Sequence, residues 1–547
     1  MSAMDRREFM ALAAAGAGLT GGTDPSTSPQ NKRSTQNTQK QPVGGSSGRA
    51  ELSERSIVEL STLMQKGAIS SRTLTQYYLT RIGAMDKAGP AVNAVIELNP
   101  DALQIADRMD TERKAGKLRG PLHGIPVLIK DNIDTADKMR TTAGSLSLAK
   151  NTPPKDAFIV ERLRAAGAVL VGKTNLSEWA NYRSTRSSSG WSGRGGQTKN
   201  PYVLDRNPCG SSSGTGAAIA SDFATVGIGT ETDGSIICPS GICGLVGVKP
   251  TVGLWSRAGI IPISASQDTA GPMCRSVADA AALLGALVGT DPRDAATRES
   301  AGKAHADYTR FLDADGLKGA RIGVARNLAG FNPDVDKLLD DAVAAVKAAG
   351  ATIVDPANLS TAGKFSDAET TVLDFEFKAG LNAYFVALGA NAPVKSLTEL
   401  IAWNEREKAT EMPFFGQEIF VRADKSGALS DAKYRAARAK CVRLARVDGI
   451  DATMIRHRLD AIISPSNQPA WTTDHLNGDH FSGGDTSFAA VAGYPSVTVP
   501  MGFAHELPIG LSFTGKAWTE GPLLKLAYAF EQATKARRSP RFLPTIG

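Results

Sequence analysis

Two stretches of this chain, AFIVERLRAAGAVLVG and LLDDAVAAVKAAGATIVD, share one grammar: an amphipathic helical run, a glycine stop at Gly167 or Gly350, then a short apolar strand. IPVLIK, ARIGVA, DAIISP and SVTVPM add further short strands with no polar alternation. A strand that is apolar on both faces must be covered on both faces. Helices alternating with such strands predict an α/β fold with a central sheet between helical layers. The first ordered helix is expected near Leu52, capped by Ser53, with Ile57, Leu60 and Met64 on its buried face; a second repeats Leu74, Tyr78 and Ile82.

At 547 residues the chain exceeds the usual size of one domain, yet no Pro/Gly/Ser-rich linker interrupts it after Ala50. Strand-like segments near both ends can join one sheet, so residues 51–547 are read as one large domain. Before it lies DRREFMALAAAGAGL, paired arginines followed by an alanine-rich apolar run, which reads as a twin-arginine-type export signal over residues 1–22. That run falls short of the roughly 20 apolar residues that span a bilayer, so no stable membrane anchor is expected. Residues 23–50 are rich in Gly, Ser, Thr, Gln and Pro, and read as a disordered linker. The expected destination is periplasmic or secreted, with the export machinery as a partner.

Charge excludes one class of partner. Of the net +7, three charges fall in residues 21–50, where Lys32, Arg33, Lys40 and Arg49 face only Asp24. The remainder is ordinary for nearly 500 residues, and no basic run with interleaved aromatics appears, so nucleic acid is not expected. Five cysteines without a CxxC pair suggest neither a disulfide framework nor zinc, and six histidines offer no pair four apart; no metal and no cofactor is expected. Cys209, Cys238 and Cys243 read as small buried thiols and His123 as structural. Trp179, Trp255 and Trp471 read as core before cleft.

From Asn207 the chain runs NPCGSSSGTGAAIASDFATVGIGTETDGSIICPSGICGLVGVKPTVG. Glycine and small hydroxyls this dense between apolar helix and strand patterns indicate close backbone packing, and glycine lets amide N–H groups face a ligand. No GxxxxGK[ST] phosphate loop is present. With GIPVLIKDNID (124–134), KTNLSEWA (173–180), GSSSGTG (210–216), GTETDGSI (229–236) and SQDTAGPM (266–273), the chain resembles the amidase signature family, serine hydrolases with a Ser–Ser–Lys triad.

The resemblance implies a mixed sheet and assigns Ser235 as nucleophile, Ser211 as bridging serine and Lys130 as base. It implies an oxyanion hole from the backbone N–H groups of Thr232, Asp233, Gly234 and Ser235, with Thr230, Ser212 and Gly210 in support. It also implies a cis peptide bond before Ser211, a geometry costing about 3 kcal/mol away from proline. The chemistry is coherent on its own terms. A serine hydroxyl needs a base, and a lysine serves only when burial lowers its pKa; Lys130 ends the apolar strand IPVLI, which draws the amine into the core.

Common members read GGSSGG and TGGSIR where this chain has CGSSSG and TDGSII, a departure similar to the peptide amidase branch, which removes C-terminal amides from peptides. Asp233 in that loop is expected to disfavour anionic substrates. The implied substrate is a small-molecule or peptide amide. The alternatives are a component of a glutamine-dependent amidotransferase, or a non-catalytic secreted binding protein on an amidase scaffold. Residues 300–440 are expected to shape the cleft.

Overall fold

The helix–glycine–strand grammar is realised directly. Phe158–Ala165 is helical, Gly167 follows at φ +74°, and the chain enters the strand Val169–Thr174. The second copy gives the helix Pro333–Ala348, Gly350 at φ +95° and the strand Thr352–Val354. This computed structural model describes residues 52–547 apart from 391 and 485. The export signal (1–22) and linker (23–50) lie outside the described residues.

In chain order the strands are β1 (Val95–Leu98), β2 (Pro126–Lys130), β3 (Val169–Thr174), β4 (Trp191–Ser192), β5 (Gly196–Gln197), β6 (Val226–Glu231), β7 (Val246–Lys249), β8 (Thr269–Cys274), β9 (Arg321–Val324), β10 (Thr352–Val354), β11 (Ala461–Pro465), β12 (Ser496–Ala504) and β13 (Leu507–Thr514). All but the β4–β5 hairpin form one 11-stranded sheet in the order β1-β3-β2-β6-β8-β7-β12-β13-β11-β9-β10. It is mixed: β3-β2-β6 and β11-β9-β10 run parallel, while β6-β8-β7-β12-β13-β11 alternate in direction. Strands from both ends of the folded region thus share one sheet, as a single domain requires.

Both faces are covered. Val127 and Ile129 pack into the larger core with Ile228, Val246 and the helices Val277–Ala286 and Glu520–Thr534, whereas Leu128 joins a second core with Val171, Ala217 and Ile219. Side chains alternate along a strand, so Lys130 points to the face of Leu128, where the helix Ser213–Ala220 lies. Among the described residues no helix is long and apolar enough to cross a membrane.

The start of the fold corrects one expectation. Among the described residues the first helix is Ile57–Gln65, and its cap is Ser56, which forms a reciprocal box with Glu59; Ser53 instead donates to Asp222 at 3.2 Å. Glu59 lies three residues after Ser56, the spacing the box needs, whereas Ser53 has Ser56 at that offset. The three tryptophans are buried, Trp255 with its indole N–H on the Leu284 carbonyl, and His123 Nε2 contacts the Met109 carbonyl at 2.9 Å in the core.

Candidate active site

β2 and β6 are parallel neighbours, so their C-terminal residues, Lys130 and Glu231, reach the same edge of the sheet. Lys130 is fully buried there. Its Nζ lies 2.8 Å from Ser211 Oγ, 2.9 Å from Thr230 Oγ1 and 3.2 Å from the Thr230 carbonyl. Burial lowers its pKa from 10.5 to about 7, against the upward pull of Glu231 and Asp268. In the ammonium form all three N–H bonds can be used on these oxygens. A neutral amine has two, and when both serve Thr230 the lone pair faces the Ser211 hydroxyl. Asn132 Nδ2 donates to Thr230 Oγ1 at 3.0 Å and holds that hydroxyl in place.

Ser211 follows a cis Gly210–Ser211 peptide and starts the turn into the helix Ser213–Ala220. A Cβ on Gly210 would sit 2.1 Å from Ser177 Oγ, so no larger residue fits at this approach. Ser212 supports from behind: its Oγ donates to the Thr230 carbonyl at 3.0 Å and accepts from the Thr230 N–H at 3.2 Å. The Ser212 N–H donates to the Ser235 carbonyl at 3.2 Å, which brings the two serine loops together. Exposure rises from Lys130 and Ser211, each 0% exposed, to Ser235 at 8%, so Ser235 is the least buried of the three.

The loop 231–235 has an informative construction. Glu231 turns back and accepts from the N–H groups of Ile236 and Ile237 at 2.7 and 2.9 Å. Thr232 Oγ1 donates to Asp268 Oδ1 at 2.6 Å, and Asp233 accepts from Thr486 Oγ1 and Ser487 Oγ, both at 2.6 Å. Three consecutive side chains are therefore tethered to protein, and Gly234 completes the bend at φ +79°. Among the described residues, the N–H groups of Asp233, Gly234 and Ser235 donate to no backbone or side-chain acceptor. Uncommitted amides beside a serine hydroxyl can receive a developing oxyanion.

Asp268 in turn accepts from the N–H groups of Ile263 and Ser264, and burial lifts its pKa to about 6. Gln267 Nε2 donates to the Thr232 carbonyl at 3.3 Å and to Glu369 at 3.0 Å. Residues 300–440 support the site from the helical layer. Glu376 in the helix Ser366–Leu388 accepts from the Ser266 N–H at 2.9 Å, Tyr384 donates to Asp134 at 2.9 Å, and Glu411 accepts from the Leu146 N–H at 3.1 Å.

All the site residues expected from the sequence thus lie on one sheet edge. Asp268, Thr486 and Ser487 were not legible, since each acts through a partner elsewhere in the chain, and neither was Glu231, whose role depends on the turn bringing the Ile236 and Ile237 N–H groups back to it. The cysteines are a correction: Cys209 and Cys238 form a disulfide, while Cys243, Cys274 and Cys441 are buried free thiols. Cys209 lies two residues before Ser211 and Cys238 three after Ser235, so bringing the serines together brings the sulfurs together as well. That flanking relation was the available signal. Asp233, read as mostly a backbone donor whose carboxylate disfavours anionic substrates, accepts from the hydroxyls of Thr486 and Ser487.

A family model for amidases matches residues 73–524. The chain belongs to the amidase family. A protein of Arabidopsis thaliana named a probable amidase is 40% identical over 505 residues, 90% of this chain and 92% of that one. The crystal structure of native peptide amidase from Stenotrophomonas maltophilia is 52% identical, with a TM-score of 0.85 over 89% of this amidase and 99% of that chain. A component of the glutamyl-tRNA(Gln) amidotransferase of Caldanaerobacter subterraneus subsp. tengcongensis is 33% identical over 90% of this amidase and 99% of its own length. The amidase therefore shares its fold with both kinds of relative and has the higher identity to the peptide amidase.

Proposed function

We propose that this amidase hydrolyses the C-terminal amide of peptides and releases ammonia, with Ser235 as nucleophile, Ser211 as proton relay and Lys130 as base. The observation that carries the catalytic reading is the surroundings of Lys130 Nζ: buried, lowered to about 7, and 2.8 Å from a serine hydroxyl. An amine in that state is part neutral near pH 7 and can accept a proton. Ser235 attacks the amide carbonyl while its proton passes through Ser211 to Lys130. The oxyanion that forms is met by the backbone N–H groups of Thr232, Asp233, Gly234 and Ser235, preorganised by the tethers on their side chains. Collapse of the tetrahedral intermediate expels ammonia, which takes its proton back along the same relay. Water, deprotonated by Lys130 through Ser211, then cleaves the acyl-serine.

The peptide-amide substrate is supported by 52% identity to the Stenotrophomonas maltophilia peptide amidase, against 33% to the amidotransferase component. The export reading rests on the arginine pair and apolar run of residues 1–22. The Cys209–Cys238 disulfide supports it, since such bonds persist in oxidising compartments. The test is ammonia release from peptide amides, amino-acid amides and fatty amides. Peptide amides are the expected substrates, and Ser235→Ala is expected to abolish turnover with the melting temperature kept. Turnover retained in that variant refutes the assigned nucleophile.

A further inference from the structure

The two serine loops are joined by the hydrogen bonds of Ser212, whose N–H donates to the Ser235 carbonyl at 3.2 Å and whose Oγ pairs with the Thr230 carbonyl and N–H at 3.0 and 3.2 Å, and by one covalent bond, the Cys209–Cys238 cystine. These hydrogen bonds all leave one residue, Ser212, so the segment 207–211 before it can still pivot. A tie at a separate point, Cys209, fixes the angle as well. The cystine is placed for this purpose. Cys209 is adjacent to Gly210 of the cis Gly210–Ser211 peptide, and the Cys238 N–H donates to the Gly234 carbonyl at 2.8 Å, inside the loop that presents the free amides.

The backbone of Cys209 points the same way. It holds φ +57°, the left-handed region that a side-chain-bearing residue occupies only when its surroundings hold it there. Its N–H donates to Asn207 Oδ1 at 2.8 Å, its carbonyl accepts from Ser213 Oγ at 2.6 Å, and its sulfur is bonded to Cys238. The sulfur bond is the one anchor of the three that reaches the nucleophile's loop; the other two remain within the segment 207–213.

We infer that the Cys209–Cys238 cystine is a positioning element of catalysis that sets Ser211 against Ser235 and the adjoining amides, so that the oxidised enzyme is the fully active form. The inference rests on the proposed triad. The bond forms when the two thiols give two electrons and two protons to a disulfide oxidant, which departs as a dithiol. Both cysteines are buried, at 5% and 4% exposure, so completeness of reduction in the wild type is followed by counting free thiols. A phosphine reverses the bond, giving two thiols and a phosphine oxide whose oxygen comes from water. A displacement of about 1 Å among reacting groups can cost about 100-fold in rate, so loosening this tie is expected to act on kcat.

The experiment compares full-length oxidised enzyme with the Cys209→Ala/Cys238→Ala double variant, and with wild type reduced by a phosphine. Measured are kcat and KM on a peptide amide, the rate of Ser235 labelling by a fluorophosphonate, and the melting temperature. The expected result is a fall in kcat of roughly 10- to 100-fold with KM within about threefold, labelling slowed in parallel, and recovery when the reduced wild type is reoxidised. The inference is overturned if kcat stays within about twofold, if KM moves instead of kcat, or if reoxidation restores nothing. Should the double variant fail to fold, the reduced wild type decides. Failure of the oxidised wild type to hydrolyse any amide refutes the proposed function, whereas the labelling rates still report whether the cystine positions the serine.

Discussion

Replacing Lys130 by Met is expected to abolish turnover and to make the fold more stable near pH 7. A lysine fully buried at the edge of the sheet is held at a pKa of about 7, against 10.5 in the unfolded chain. Between those values the unfolded chain binds more protons than the folded one, so the stability of the wild type rises with pH across that window. At 1.36 kcal/mol per pKa unit, burial of this amine costs about 4 kcal/mol at pH 7 and about 2 kcal/mol at pH 9. Methionine, unbranched and of similar length, removes that cost. It also removes the hydrogen bonds to Ser211 and Thr230, worth about 1 kcal/mol each, although Thr230 keeps Ser212 and Asn132 as partners. The net expectation is a gain of about 2 kcal/mol at pH 7 that disappears near pH 9. Urea unfolding of both proteins at the two pH values measures it, and taking the difference cancels other groups that titrate there. A stability difference independent of pH would mean that Lys130 titrates as an ordinary lysine, and the argument for it as base would collapse.

Two further outcomes follow from the same structure. The kcat/KM of the wild type on a peptide amide should rise with pH through about 7 as Lys130 loses its proton, and a profile flat from pH 6 to 8 would contradict the assignment. Arg183→Met should destabilise the fold by about 3 kcal/mol, because the fully buried Arg183–Glu178 pair at 2.6 Å would leave Glu178 beside Glu411 without a cation; thermal unfolding tests this, and an unchanged melting temperature refutes it.

What the sequence disclosed and what it withheld divide along a physical line. Lys130, Ser211 and Ser235 are legible through the family resemblance that their local motifs carry, and the apolar strand before Lys130 and the glycine-dense turns around the serines agree with it. The grammar of helix, glycine stop and strand is local too, which is why the covered sheet could be expected. The strand order could not: β6 lies between β2 and β8, and β12 beside β7, pairings that no segment carries in its own composition. The same holds for the cystine, which needs the two serine loops to be apposed before its sulfurs can meet.

The oxyanion loop shows why such non-local information matters for chemistry. Its backbone amides are free because Glu231, Thr232 and Asp233 each spend their side chains elsewhere. Glu231 finds its partners five and six residues on, Thr232 finds Asp268 36 residues on, and Asp233 finds Thr486 253 residues on. An oxyanion hole works only if its donors need not reorganise when charge appears. Here the rigidity of a five-residue turn is supplied by its own next residues and by two distant regions of the chain, so the motif marks where the proposed nucleophile is, and only the completed sheet, with the segment 486–487 packed against it, can make that position reactive.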